Sequence, residues 1–246
     1  MEYEKVRGKF GLWDKYFKEF IESDKFDEIF RTLKTRNKPT APLSKDVFRA
    51  FEITDPDKLC CIIVGISPYH TFIDKAPVAD GLALSCSHTW KKKGLQPSLE
   101  MVYDELQRTY QEDDMTRDGD LSYLAEQGVL LYNVGLTVQE GKACSDNELW
   151  SEFNKYFWTE VMNKYFRGIP IIFMGTQAHK SINYLTPMLH YPIQISHPAS
   201  AAYKGDKWHS DGAFLKIDNV LRQNYKTKIN WYKLPEKADS KPPWEE

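Results

Sequence analysis

Four short apolar runs constrain the fold of this chain more than any other feature of its sequence. They are KLCCIIVGI from Lys58, GVLLYNV from Gly128, IPIIFMG from Ile169 and YPIQISH from Tyr191. Each run is apolar at successive positions, which is typical of a strand covered on both faces in a parallel sheet. Helical patterns separate the runs. The sequence therefore predicts an α/β fold, doubly wound, with a central four-stranded parallel sheet flanked by helices.

Three helices are indicated by apolar spacing and by capping signals. Apolar residues recur at helical spacing from Leu12 to Ile21, and a second series runs from Phe26 to Leu33 with Ser23 as its expected N-cap. Further along, Ser145 and Glu148 have the spacing of a capping box that opens a third helix.

The composition limits the partners and the compartment. Lys and Arg total 33 against 35 Asp and Glu, so the net charge of −2 argues against a general polyanion binder, and DNA affinity needs a local basic surface. The four cysteines show no C-x-x-C spacing and are interpreted as reduced thiols. No signal peptide or membrane-spanning run is present, so we expect an intracellular protein, cytoplasmic or, in a eukaryote, nuclear.

Polar residues follow each predicted strand at the point where it ends. They are Ser67 to His70, Asn133, Thr176 after Gly175, and His197. Ligands of open α/β sheets bind beyond the carboxyl ends of the strands, so these residues are candidates for a site, although each alone also fits a turn cap or a core histidine. Neither a zinc-ligand spacing nor a glycine-rich nucleotide loop is found, so no metal and no cofactor is expected.

The order of these motifs resembles the family 1 uracil-DNA glycosylases. The family motif G-Q-D-P-Y-H aligns with Gly65 to His70, and G-L-x-F-S aligns with Gly81 to Ser85. The motif P-S-L-E-x-x-Y-x-E-L aligns with Pro97 to Leu106, and the leucine-loop motif H-P-S-P-L-S aligns with His197 to Ala202. Matches of this number in one order indicate common fold and ancestry.

The resemblance also suggests how the chain is organised. It extends from about Leu43 to Leu234. Residues 1–42 are therefore interpreted as an N-terminal helical extension packed on the domain, residues 43–234 as a uracil-DNA glycosylase-like domain, and residues 235–246 as a flexible tail.

The resemblance implies a DNA glycosylase that flips a pyrimidine nucleotide and hydrolyses its N-glycosidic bond, which leaves an abasic site. Asn133 then reads the polar edge of the base, His197 stabilises negative charge developing on a base oxygen, and Tyr69 packs against carbon 5 and excludes thymine. The implied base-binding residues are Ile66, Tyr69, His70, Leu84 and Asn133.

The sequence departs from the family pattern at four positions of the implied site. Ser67 replaces the aspartate that positions water and balances the sugar cation, and a neutral hydroxyl supplies no charge. Ile66 replaces glutamine, Leu84 replaces the stacking phenylalanine, and Ala201 replaces the leucine that fills the hole left by the flipped base. Together these changes suggest altered substrate choice.

A longer loop offers two candidate replacement carboxylates. The segment from Ser67 to Gly81 exceeds the family's length and brings in Asp74 and Asp80. The catalytic candidates are thus His197, Ser67 and Asp80. The alternative for both aspartates is that they are solvated loop charges.

Contact with DNA requires donors to phosphate near the flipped nucleotide. The candidate DNA-binding residues are Ser85, Pro97, Ser98, Thr176, Ser200, Ala201, Lys204, Lys207, His209 and the lysine run Lys91 to Lys93, with Lys93 closest to Pro97. The alternative for the lysine run is a solvated charged face.

The hypotheses left open belong to different classes. The first is a monomeric DNA glycosylase that acts slowly on uracil or on a modified pyrimidine, such as a hypermodified phage base, in repair or in defence. The alternative is a catalytically inactive homologue that binds DNA or a replication partner. A third is a protein that binds uracil-glycosylase inhibitors.

Overall fold

Eight strands lie in the described chain, residues 7–235, and four of them form its central sheet. In chain order this computed structural model has β1 (Thr40–Ala41), β2 (Cys61–Gly65), β3 (Phe72–Ile73), β4 (Ala76–Pro77), β5 (Val129–Asn133), β6 (Val138–Gln139), β7 (Pro170–Met174) and β8 (Tyr191–Ile195). The central order is β5-β2-β7-β8, with every neighbouring pair parallel. The predicted α/β sheet is confirmed.

Helices surround this sheet. They are α1 (Asp14–Ile21), α2 (Asp24–Lys34), α3 (Arg49–Ile53), α4 (Trp90–Lys93), α5 (Pro97–Tyr110), α6 (Ser122–Glu126), α7 (Ser151–Tyr156), α8 (Asn163–Tyr165), α9 (Thr176–His179), α10 (Pro198–Lys204) and α11 (Ala213–Asn224). A π-helical stretch, Phe157–Met162, joins α7 to α8. Between residues 7 and 235, no helix has both the length and the apolar character needed to cross a bilayer.

Three of the four strands of the central sheet are buried along their whole length, and the fourth is not. Every residue of β2, β5 and β7 is buried, as their apolar runs predict. The prediction that β8 is covered on both faces is wrong, because Tyr191 is 45% exposed and Pro192 and Gln194 are exposed as well. The apolar run alone did not distinguish the exposed edge strand β8 from the fully buried edge strand β5.

The two predicted N-terminal helices are present and share one aromatic core with the rest of the chain. Trp13 and Phe17 are fully buried, and the Phe17 ring stacks on Phe153 at 5.2 Å between centroids. The indole N–H of Trp13 donates to the carbonyl of Thr54 at 2.6 Å. Ser23 occupies the N-cap position of α2, but its hydroxyl donates backwards to a carbonyl of α1 and not to an amide of α2. The domain boundary at residue 43 stays a prediction.

The predicted capping box is wrong. Residues 145–150 form turns, and α7 begins only at Ser151. The Ser145 hydroxyl instead accepts the backbone N–H of Gln139 at 2.8 Å and donates to Asp146 at 2.8 Å. The Ser145 hydroxyl therefore bonds to Gln139, a residue of another segment, and does not cap a helix.

A buried ion pair fixes the turn that follows β6. Both oxygens of the fully buried Asp146 carboxylate accept from the guanidinium of Arg36 at 2.8 Å, and Thr137 donates to it at 2.6 Å. Arg36 holds the pKa of this carboxyl below its usual value despite the opposing effect of burial. The N-terminal segment is therefore tied to the turn at Asp146.

The predicted long loop after β2 contains the hairpin of β3 and β4. Its tip residues Asp74 and Lys75 have φ of 51° and 69° and are exposed. The predicted tail at residues 235–246 lies outside the described residues, apart from Pro235.

Candidate active site

A cavity of about 310 Å³ opens where the four central strands end. The chain runs from β2 to β5 on one side and then to β7 and β8 on the other, so the cavity lies at the topological switch point of the sheet. Of the predicted site residues, the cavity brings together Ile66, Ser67, Tyr69, His70, Leu84, Pro97, Ser98, Asn133 and His197. The strand-end rule predicted those that follow β2, β5 and β8, and the family resemblance predicted Ile66, Leu84, Pro97 and Ser98.

Asn133 is the last residue of β5 and pairs in register with Gly65. A Cβ atom on Gly65 would lie 2.4 Å from Asn133 Oδ1, so the glycine makes room for this amide. Asn133 is 6% exposed, and its amide makes no hydrogen bond to any side chain or backbone group of residues 7–235. The amide faces the cavity with a free donor and a free acceptor side by side, which suits the polar edge of a pyrimidine.

His197 is the N-cap residue of α10, and its ring is oriented by the helix it caps. Nδ1 accepts the backbone N–H of Ala199 at 3.1 Å. Burial lowers the pKa of the imidazole to about 4. The ring is therefore neutral at pH 7, and because Nδ1 is an acceptor, the proton is on Nε2. This N–H is therefore a donor of fixed orientation in the cavity lining.

Tyr69 closes one wall of the cavity with an immobilised ring. Its hydroxyl donates to the carbonyl of Leu84 at 3.0 Å and lies 2.9 Å from the hydroxyl of Ser98. Burial raises the pKa of Tyr69, so the phenol stays protonated. Leu84 has φ of 67°, an uncommon conformation for a branched residue, and the bond from Tyr69 helps to hold it there. We call Asn133, His197 and Tyr69 the base side of the cavity.

Ser67 and Cys144 form another part of the cavity lining, which we call the sugar side because the family resemblance implies a sugar next to Ser67. The Ser67 hydroxyl donates to the Pro68 carbonyl at 3.1 Å and accepts the Cys144 backbone N–H at 3.4 Å. Among the described residues that line the cavity, none is Asp or Glu. Sequence reasoning placed Ser67 here but missed Cys144, whose exposed thiol also lines the cavity.

The expectation that Asp80 supplies a replacement carboxylate needs correction. Asp80 is fully buried and does not line the cavity. Its carboxylate accepts from the Ser85 hydroxyl at 2.6 Å and from two backbone amides, and Arg49 lies 3.1 Å away. These groups inside the fold bind both oxygens of the Asp80 carboxylate, so it is not available to the cavity. Asp74, at the exposed hairpin tip, fits the alternative of a solvated loop charge.

Several predicted DNA contacts also need correction. Ser85 is fully buried and its hydroxyl is bonded to Asp80, so it does not reach a phosphate. Ser98 is 4% exposed with its hydroxyl near Tyr69, and Ala201 is 9% exposed and packed in the core. The predicted contacts that are exposed are Lys91, Lys92, Lys93, Pro97, Thr176, Ser200, Lys204, Lys207 and His209.

Comparison with known proteins places this geometry in a family. No protein-family model matches the chain. Uracil-DNA glycosylase 1 of Listeria innocua is 30% identical over 226 residues, which cover 89% of this chain and 96% of the relative. The uracil-DNA glycosylase of Dichelobacter nodosus is 32% identical over 231 residues, which cover 89% and 93%.

Solved structures agree with these relatives at the level of the fold. The crystal structure of mimivirus uracil-DNA glycosylase has a TM-score of 0.80 at 20% identity, covering 94% of this chain and 89% of that one. A variant of the same mimivirus protein in complex with UGI has a TM-score of 0.78 at 20% identity, covering 90% and 88%. Since relatives of 30% identity and above match nearly their whole length, the chain belongs to the uracil-DNA glycosylase family, whose members are DNA N-glycosylases.

Proposed function

We propose that the protein flips a pyrimidine nucleotide of DNA into the cavity, uracil foremost, and hydrolyses the bond between sugar and base to leave an abasic site. The observation that carries this proposal is the convergence of a free amide and a neutral imidazole N–H on one cavity, from Asn133 and His197. Extrusion of the nucleotide is required because the reacting atoms are inaccessible inside a duplex.

The base side accounts for departure of the base. As the bond between C1′ and the ring nitrogen breaks, both electrons go to the base, and its oxygen gains negative charge. The Nε2–H of His197 stabilises that charge without reorganising, because the ring is already oriented by Ala199. Asn133 holds the polar edge of the base, and Tyr69 limits the space beside it.

The sugar side accounts for a slow reaction. Water adds to C1′ and releases a proton as the sugar passes through a cationic state, which a nearby carboxylate would stabilise. The Ser67 hydroxyl can hold a water but contributes no charge. If such a charge is worth ~3 to 4 kcal/mol, its loss slows the reaction by ~10² to 10³. Ile66 and Leu84 differ from the residues that the family pattern has in this lining. We therefore include modified pyrimidines among the proposed substrates.

A panel of substrates tests the proposal. Duplexes with a single uracil, a 5-substituted uracil or a modified cytosine are incubated with excess protein, and abasic sites are cleaved with alkali. We expect strand scission at uracil or at one modified pyrimidine, and a loss of about 10² or more in rate with His197→Ala. The matched control is His88→Ala, since His88 is exposed and does not line the cavity. Absence of scission on every substrate would contradict the proposal.

A second candidate function is binding of DNA without excision. It is favoured by one observation, namely that the described lining of the cavity includes no carboxylate. Tight binding to a duplex with an extruded pyrimidine, together with no scission on the whole panel, would establish it.

The complex of the mimivirus variant with UGI supports a further partner. We propose that an inhibitor of this kind binds the face around the cavity. Titration of the protein with UGI in the absence of DNA measures this directly, and competition with uracil-containing DNA would show that both use the same face.

A further inference from the structure

Tyr203 stands at the rim of the cavity with nearly all of its side chain in solvent. It is 87% exposed and belongs to the cavity lining. Within residues 7–235 its ring makes no aromatic contact and its hydroxyl makes no hydrogen bond. A large apolar ring in water gains free energy when a partner covers it. Sequence reasoning passed over this residue.

The helix that carries Tyr203 is fixed at both of its ends. His197 caps the start of α10 through the amide of Ala199. Beyond the end of α10, the buried Trp208 donates its indole N–H to the carbonyl of Ser196 at 3.1 Å, and Arg108 of α5 donates to the Trp208 carbonyl at 2.5 Å. The tyrosine is thus presented from a rigid support beside the cavity.

The position expected from sequence to face the vacated base does not do so. Ala201 is 9% exposed and packs into the core, so a larger side chain there would meet protein. Ala202 is half-buried. The side chain that projects from this part of α10 next to the cavity is Tyr203.

We propose that Tyr203 enters the duplex and fills the space left by the flipped nucleotide, stacking on the bases that border the gap. This inference rests on the proposed function, in which the cavity receives that nucleotide. A base leaving the stack exposes the faces of its neighbours, and an inserted apolar or aromatic side chain covers them. The adjacent Lys204 is exposed and makes no ion pair with another described residue, so it can contact a flanking phosphate.

Paired substrates separate this role from catalysis. The kcat/KM for uracil excision is measured on a duplex and on the same strand alone, which has no gap to fill. We expect Tyr203→Ala to lower the duplex value by about ten- to a hundredfold and the single-strand value by less than about threefold. Tyr203→Phe keeps the ring and should stay within about threefold of the parent on both.

The matched control is Tyr191→Ala. Tyr191 is 45% exposed but is the first residue of β8, at the end of the sheet away from the cavity. Both kcat/KM values, on the duplex and on the single strand, should therefore remain unchanged. An equal loss on both substrates with Tyr203→Ala, or no loss, would overturn the proposal. Excision by the parent protein would then still support the proposed function.

A second readout does not require excision. A 2-aminopurine placed next to uracil in the duplex becomes brighter when its neighbour leaves the stack. We expect the parent protein to raise the fluorescence and Tyr203→Ala to raise it by less than half as much. If no variant excises any base, the proposed function fails, yet an equal fluorescence rise in both proteins would still disprove the role of Tyr203.

Discussion

The base side and the sugar side of the cavity are equipped very differently. On the base side, Asn133 ends the buried strand β5 and His197 caps a helix, so regular structure holds both side chains at the cavity. On the sugar side, Ser67 lies in a loop, and its hydroxyl is engaged by Pro68 and by the amide of Cys144. The base side offers an amide and an imidazole N–H that have no partner in the described fold. On the sugar side, the Ser67 hydroxyl is already bonded to its neighbours.

The cavity is therefore equipped for one half of the reaction and not for the other. Breaking the bond between sugar and base creates a negative base and a positive sugar, and each needs its own electrostatic partner. Donors suited to the negative base are present, while the described lining holds no anion for the positive sugar.

The largest effect is expected from Ser67→Asp, which places a carboxylate on the sugar side. Its oxygen can accept the Cys144 N–H as the hydroxyl does, and its charge should raise the rate of uracil excision by ~10² to 10³. Single-turnover kinetics on a uracil duplex measures this gain.

Ser67→Asn is the control, because asparagine has the shape of aspartate without its charge. It should give no comparable gain. A rise from no measurable activity with Ser67→Asp would favour a degenerate cavity. Loss of an existing activity would favour a cavity retuned for another base, and would contradict the assignment of Ser67 to a missing charge.

Asn133→Ala should have the next largest effect, on the base side. Loss of a paired donor and acceptor on a base edge is worth ~1 to 3 kcal/mol, or a fall of about 5- to 150-fold in kcat/KM. Asn224→Ala is the control, because Asn224 is exposed on α11 and does not line the cavity. Equal values for both variants would show that the amide does not read the base.

A smaller effect is expected from pH. Because burial lowers the pKa of His197 to about 4, the imidazole is neutral throughout the range from pH 5 to 8. The excision rate should therefore not follow an imidazole titration near pH 6.5, and it should fall as the ring is protonated below about pH 4. A pH–rate profile with a midpoint near 6.5 that disappears in His197→Gln would contradict this.

The same burial makes folding sensitive to acid. The unfolded chain takes up a proton on histidine near pH 6.5, while the folded chain resists it until about pH 4, so stability is full above 6.5 and falls between these values. At pH 5 the loss is about 2 kcal/mol for each such histidine. His190, also buried with its pKa lowered to about 4, gives the matched case. Urea unfolding of His197→Gln and His190→Gln should show a smaller change between pH 7.5 and 5 than the parent.

The smallest effect is expected from Cys144→Ala. The contact with Ser67 comes from the backbone amide of Cys144, so removal of the thiol should change the excision rate by less than about threefold. A loss of tenfold or more in the same kinetic assay would assign a chemical role to the thiol.

The sheet and the base side could be predicted because local sequence determines both. Three of the four apolar runs are fully buried strands, and residues directly after parallel strands must lie at the carboxyl edge of the sheet. Asn133 and His197 were found by this rule. The family likeness then supplied their expected roles, which the cavity geometry is consistent with.

The errors occurred where distant segments decide what a side chain does. Ser85 donates to Asp80, and Asp80 also pairs with Arg49, which removes both Ser85 and Asp80 from the site. Ser145 bonds to Gln139 and does not cap a helix. Tyr203 was missed because its exposure depends on how α10 packs against α5, and no spacing in the sequence records that.

The two hydrogen bonds from Arg36 to Asp146 make the cavity depend on the N-terminal segment. Asp146 follows Cys144 by two residues, so the same turn carries the sugar side. A shortened protein that starts after residue 42 would leave a buried carboxylate without its cation, at a cost of roughly 3 to 5 kcal/mol. The segment around Arg36 thus supports the turn that carries Cys144, and its removal should make this part of the cavity lining mobile.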